Sequence, residues 1–129
     1  MNDDGIQSLR QALATFASER DWDQFHSPKN LSMALIVETA ELLEHFQWLT
    51  DAESRALPPK SHEAVRLELA DIFIYLVRLA DKLGIDLLEA ARGKMVLNEL
   101  KYPAQRVRGS AQRASEYEPE AKSLETTFP

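Results

Sequence analysis

Four acidic residues stand where the sequence is otherwise built to be buried. Glu38 and Glu41 form one pair, and Glu68 and Asp71 form a second after 26 intervening residues. At about 100° per residue, Glu38 points the same way as Leu31, Leu35 and Leu42, with Glu41 one turn on at the edge of that stripe. Glu68 likewise shares a face with Val65, Ile72 and Leu79, and Asp71 follows one turn later. Burying an unpaired carboxylate is costly, and several converging ones repel each other. Such a cluster persists only if it is protonated, paired with Lys or Arg, or neutralised by metal. Arg66 and Arg78 are the main basic residues of the two segments, and neither falls on the face of Glu68.

An all-oxygen donor set suits a hard divalent cation, and Mg²⁺ takes carboxylates, waters and substrate phosphates. Zinc chemistry has little support, because the chain has no Cys and no HExxH motif. A di-iron carboxylate bundle would want Glu-x-x-His pairs, whereas Glu41 is followed three residues on by Glu44 and Glu68 by Asp71. The plain alternative is that the acids are partly exposed residues on solvated helix faces. Two pairs, each set within an apolar stripe, favour the metal. His45 falls beside Glu38 and Glu41 on the helical wheel, as a direct participant, a hydrogen-bonded neighbour or a surface residue.

Two further groups have chemical capacity. Trp22, Phe25, His26 and Trp48 lie in linkers or at helix ends, where aromatic rings can stack on a base; core packing is the commoner role of any single Trp. Tyr75 lies on the Glu68 face one turn beyond Asp71 and should border the metal site. Lys94, Asn98 and Lys101 recur at i, i+4 and i+7, so they share one face that can present cationic and amide donors to phosphates or simply face solvent.

These residues need helices to position them. With 4 Gly, 6 Pro and few β-branched runs, the chain favours an all-α fold, and 129 residues suffice for one domain with one core. The spacing predicts a first helix over about 5–19, with Ile6, Leu9, Leu13 and Phe16 in register. A linker over 20–30 ends at Ser27 or Asn30 as the next cap. A second helix is expected over 31–48, a loop over 49–61 with Pro58 and Pro59, and a third helix over 62–83 stopped by a left-handed Gly84. A fourth helix opens at Asp86, carries Glu89 as a capping partner, and closes at Tyr102-Pro103. Residues 1–104 read as the domain, and 105–129 as a polar tail that is loosely ordered or packs only on a partner. Residues 69–80 are apolar almost all round, and the simplest cover for such a helix is another copy of the chain, as a homodimer or homotetramer.

The net charge of −6 argues against a nucleic-acid polymer as partner, although metal can still bring a phosphate ligand to an acidic chain. The acidic start, Met1 to Gln7, does not read as a signal peptide, and no stretch approaches the roughly 20 apolar residues of a membrane span. A cytoplasmic protein without membrane contact is the expectation.

The carboxylate pattern, taken with Glu19-Arg20-Asp21-Trp22, Phe25-His26, Pro28-Lys29-Asn30-Leu31, Phe46-Gln47-Trp48, Asp71-Ile72-Phe73-Ile74-Tyr75-Leu76, Lys94-Met95, Asn98 and Tyr102-Pro103-Ala104, resembles the all-α nucleoside triphosphate pyrophosphohydrolases of the MazG-like superfamily. The closer likeness is to the dCTP pyrophosphatase branch, over roughly residues 6–104. The resemblance implies a four-helix MazG-like bundle completed by homo-oligomerisation. It implies Mg²⁺ held by Glu38, Glu41, Glu68 and Asp71, with Glu41 or Glu38 activating water. It also implies a base and sugar site around Trp22, His26, Trp48 and Tyr75, with Lys94 and Asn98 reaching phosphates. The activity implied is hydrolysis of a nucleoside triphosphate between the α- and β-phosphates, as house-cleaning of dCTP or a modified dCTP. In animal members a His stands in the first helix where this chain has Leu13. The competing readings are a non-catalytic helical module whose acids bind metal for assembly, and another reaction of the superfamily such as phosphoribosyl-ATP cleavage.

Overall fold

The structure, a computed structural model, describes residues 4–116. Among these every regular element is helical: α1 (Asp4–Glu19), α2 (Pro28–Glu44), α3 (Asp51–Ser54), α4 (Pro59–Lys82), α5 (Leu87–Lys101) and α6 (Ala104–Val107), with 3₁₀ turns at Asp23–Phe25 and Ala114–Glu116. The all-α expectation and the four long helices are therefore present. Two compact units are defined, one up to Leu88 and one from Glu89 onward.

In the first unit α4 packs chiefly along α2 and less extensively against α1. Leu31 on α2, Val65, Val77 and Ala80 on α4, and Ala17 on α1 are its buried apolar residues. Capping fixes the entry of α2. The Ser27 hydroxyl accepts from the Asn30 N–H at 3.1 Å, and Pro28 follows as the first helical residue, where its missing N–H costs nothing. Ser27, rather than Asn30, is thus the cap.

The helix stops at Glu44, four residues before the expected end. From His45 the backbone bonds shorten, with His45 N–H on Leu42 O at 3.1 Å and Phe46 N–H on Leu43 O at 2.9 Å. The chain must then be extended at Thr50, which caps α3 through a reciprocal box with Glu53. The expected 49–61 loop therefore contains one short helix. Pro59 opens α4 three residues earlier than the periodicity indicates, because its fixed φ suits a first helical turn. Gly84 follows α4 at φ 65°, the left-handed stop that its position predicts.

The apolar run at 69–80 is only partly covered. Val77 and Ala80 are buried, while Leu69 and Phe73 are 52% and 40% exposed. On α2, Ile36, Val37 and Leu43 are exposed as well. In the second unit, Ala114 N–H donates to the Tyr102 hydroxyl at 3.1 Å, tying down the start of the segment read as a tail. The rest of that tail, 117–129, lies outside the described residues. No helix among the described residues is long and apolar enough to cross a membrane.

Candidate metal centre and aromatic pocket

The cap at Ser27 sets the register of α2. It buries Leu31 and, two turns later on the same face, carries Glu38 inward between α2 and α4. Val65 does the same for α4, and Glu68 follows it by three residues. Glu38, Glu41 and Glu68 each place an oxygen within 4.8 Å of the others. Oε2 of Glu38 and Oε2 of Glu68 are buried and have no hydrogen-bond partner. No ion pair among the described residues involves these three. Arg66 instead holds Glu63 at 2.7 Å, exposed, and Arg78 holds Asp23.

Withdrawal from water, then the close approach of Glu68 and Glu41, and then the charges of Glu41 and Asp71, push the Glu38 carboxyl up to about 7. Three carboxylates thus converge, two of their oxygens unpartnered. The donor set is all oxygen, which fits a hard divalent cation. Asp71, the fourth expected ligand, lies outside this tight group. It is exposed and lines a neighbouring cavity, although its charge still reaches Glu38.

That cavity, about 310 Å³, is walled by Leu13, Phe16 and Ala17 of α1, by Trp22 and His26 of the linker, and by Asp71, Ile74, Tyr75 and Arg78 of α4. The linker reaches it through a left-handed residue. Asp21 has φ 53°, so its N–H returns to Ser18 O at 3.1 Å and the Trp22 N–H to Ala17 O at 2.9 Å. The Trp22 ring then stands edge-on to Phe16, centroids 5.8 Å apart, and 6.4 Å from His26. The 3₁₀ turn at Asp23–Phe25 brings His26 back to the wall, and Asn30 Nδ2 donates to Phe25 O at 3.0 Å, fixing the linker to α2.

Opposite, Arg78 is buried with 4% of its surface exposed. Its Nη2 lies 2.8 Å from Asp23 Oδ1 and 3.2 Å from His26 Nδ1, and its Nη1 lies 3.7 Å from Asp81 Oδ2. Lys82 Nζ also holds Asp23 Oδ1, at 2.8 Å. Hydrogen bonds from Lys82 and then Arg78 hold the Asp23 carboxyl below its ordinary value. Burial, and next the Arg78 charge, hold His26 below its own.

Of the residues expected around a base and sugar, Trp22, His26 and Tyr75 meet at this cavity. Trp48 does not; it is 87% exposed in the turn after α2. The His45 backbone caps α2, and the residue joins neither the three-carboxylate group nor the cavity wall. Lys94 and Asn98 are exposed, one turn apart on α5, in the second unit. Periodicity missed Arg78 and Asp23. The available signal was a lone cation inside an apolar run, which must find an anion if it is buried.

Residues 33–116, which include all four acids, match the MazG-like family. The chain belongs to that family. This MazG-like chain is 47% identical over 108 residues to dCTP pyrophosphatase 1 of Mus musculus, covering 82% of the chain and 64% of that protein. It is 43% identical over 113 residues to dCTP pyrophosphatase 1 of Homo sapiens, covering 86% and 66%. The MazG-like chain thus spans just under two thirds of the length of the curated relatives it matches. Among solved structures, it is similar to a pyrophosphatase from Archaeoglobus fulgidus DSM 4304, with 39% identity, a TM-score of 0.73, and coverage of 77% of this chain and 93% of that one.

Proposed function

We propose that this MazG-like chain hydrolyses a nucleoside triphosphate to the monophosphate and pyrophosphate, with a pyrimidine deoxynucleotide such as dCTP or a modified dCTP as substrate. The observation that carries the reading is the set of three carboxylates with two buried, unpartnered oxygens, coupled through Asp71 to an aromatic cavity. The likeness to dCTP pyrophosphatases supports the choice of base.

The residues that would hold Mg²⁺ are Glu38, Glu41 and Glu68, with Asp71 beside them. When bound, the ion supplies charge that lets phosphate oxygens approach the acids and polarises the phosphorus. Glu41 orients the attacking water and takes its proton, and a neighbouring carboxylate keeps that proton in the site. Trp22 and His26 flank the base, and Tyr75 and Asp71 stand on the α4 wall of the same cavity. The apolar α1 wall excludes water from the base. A phosphate role for Lys94 and Asn98 rests on the family resemblance and on their shared exposed face of α5.

The proposal includes a homodimer or homotetramer. The exposed Ile36, Val37 and Leu43 of α2 and Leu69 and Phe73 of α4 are the surfaces a second copy would cover. Trp48, so exposed in one chain, would reach a base site through such a copy. The test is a panel of deoxynucleoside triphosphates with Mg²⁺, followed by pyrophosphate release and by mass on a sizing column. Turnover of dCTP above the purine triphosphates is expected. No turnover of any nucleotide would leave only a metal-binding assembly module.

A further inference from the structure

A guanidinium donates five hydrogen bonds and accepts none. Arg78 Nη2 lies 3.2 Å from His26 Nδ1, a part-buried contact. A proton on Nδ1 would oppose one N–H to another, so Nδ1 must present its lone pair. We propose that Arg78 is a positioning residue that fixes His26 as the neutral ring with its proton on Nε2, so that the cavity offers a single-purpose N–H donor and selects bases presenting a carbonyl or ring-nitrogen acceptor at that point. The choice of a base as ligand rests on the nucleotide reading above; the proton position does not.

Three features make the arrangement rigid. Arg78 is almost wholly buried and cannot swing to solvent. Asp23 Oδ1 holds the same Nη2 at 2.8 Å, while Asp81 stands 3.7 Å from Nη1. Asp23, which shares Arg78 Nη2 with His26, is already held by both Arg78 and Lys82, so it leaves the ring little anionic support for a second proton. Burial and the Arg78 charge lower the His26 pKa, in the same direction.

A free imidazole exchanges tautomers and accepts as readily as it donates. With Nδ1 engaged by Arg78, Nε2–H is the ring N–H left for a ligand in the cavity that His26 lines. The α1 wall around it, Leu13 and Phe16, supplies no competing donor or acceptor. A base that turned an N–H toward this edge would leave two donors opposed, whereas a pyrimidine 2-carbonyl would be matched. A methionine at 78 would fill the space and remove the directing N–H, but it would also free Asp23 and Asp81 from Arg78, so the change is compared with one that removes the Asp23 charge too.

The test begins with the unaltered protein. Nitrogen-15 histidine spectra at neutral pH, with His26 assigned by its loss in His26→Phe, should show Nε2 protonated and Nδ1 bare before any nucleotide is added. A ring protonated on Nδ1, or an even mixture, overturns the proposal. In Arg78→Met the His26 signal should relax to a mixture. KM for the hydrolysed pyrimidine triphosphate should rise about tenfold, with a smaller fall in kcat. If Arg78→Met does not fold, Arg78→Met with Asp23→Leu removes both charges together and carries the same readouts. Retention of the Nε2–H signature in the variant, or a released tautomer with unchanged KM, overturns it. Failure of the unaltered protein to hydrolyse any triphosphate would sink the functional reading and leave the tautomer result standing by itself.

Discussion

Two charged clusters sit on α4, centred on Glu68 and Arg78, about 15 Å apart along the helix at 1.5 Å per residue. They treat charge in opposite ways. At Arg78 each charge has a partner of opposite sign: Arg78 and Lys82 share Asp23, and Asp81 stands by. The charges of that cluster are balanced within the chain, although Arg78 Nε makes no hydrogen bond, and the cluster braces the linker that carries Trp22 and His26. At Glu68 three acids converge without an ion pair to Lys or Arg among the described residues, and two oxygens are left without partners. Matched charge acts as scaffolding, and unmatched carboxylates offer oxygen donors that fit a cation.

The largest expected effect breaks the unmatched cluster. Glu41→Gln should lower kcat by roughly 10²- to 10⁴-fold, the usual range for a positioned general base. The metal-free melting temperature should hold or rise, because a repulsive charge is gone. Steady-state rates and a thermal melt check both. A fully active Glu41→Gln would mean that the water is handled elsewhere.

The second effect is on stability against pH. The Glu38 carboxyl is raised from its ordinary value of 4.5 to about 7, so the folded chain holds its proton more tightly than the unfolded chain. The metal-free protein should be fully stable in this respect below about pH 4.5 and lose stability as pH rises through about 7, by on the order of 1–2 kcal/mol after allowance for partial exposure. Millimolar Mg²⁺ should abolish that loss. Denaturant melts from pH 4.5 to 8, with and without Mg²⁺, decide it, and a slope indifferent to metal would count against the site.

Next is the register that aims Glu38. Ser27→Ala removes the cap of α2 and should cost about 1 kcal/mol. It should also weaken Mg²⁺ binding more than an equally destabilising change on the exposed face of α1; a calorimetric titration makes the comparison. The smallest effect probes the approach to the matched cluster. Asp21 sits at φ 53°, where Gly carries no side-chain penalty. Asp21→Gly should therefore raise stability by about 0.5 kcal/mol, the gain being reduced by loss of its 2.9 Å bond from Gln24.

Much of this arrangement was legible in the sequence because helical periodicity is local. The apolar spacing of Leu31, Leu35 and Leu42 places Glu38 on the inward face whatever α2 packs against, and Val65 does the same for Glu68. Ser27-Pro28 and Gly84 announce helix boundaries through backbone chemistry that acts within a few residues. The missed end of α2 was also local, but the signal that ends it is the cap at Thr50, several residues beyond the last apolar position.

The sequence by itself determined an all-helical chain, inward-facing acids on two helices and an aromatic linker between the first two. It could not determine which of those acids meet. That depends on how α2 and α4 lie against each other, which leaves Asp71 on the cavity wall and outside the closest trio. Nor could it pair Arg78 with Asp23, 55 residues earlier, or exclude Trp48 from the cavity wall of a single chain. Those outcomes depend on contacts between distant segments, and spacing along one helix carries no information about the neighbour it packs against.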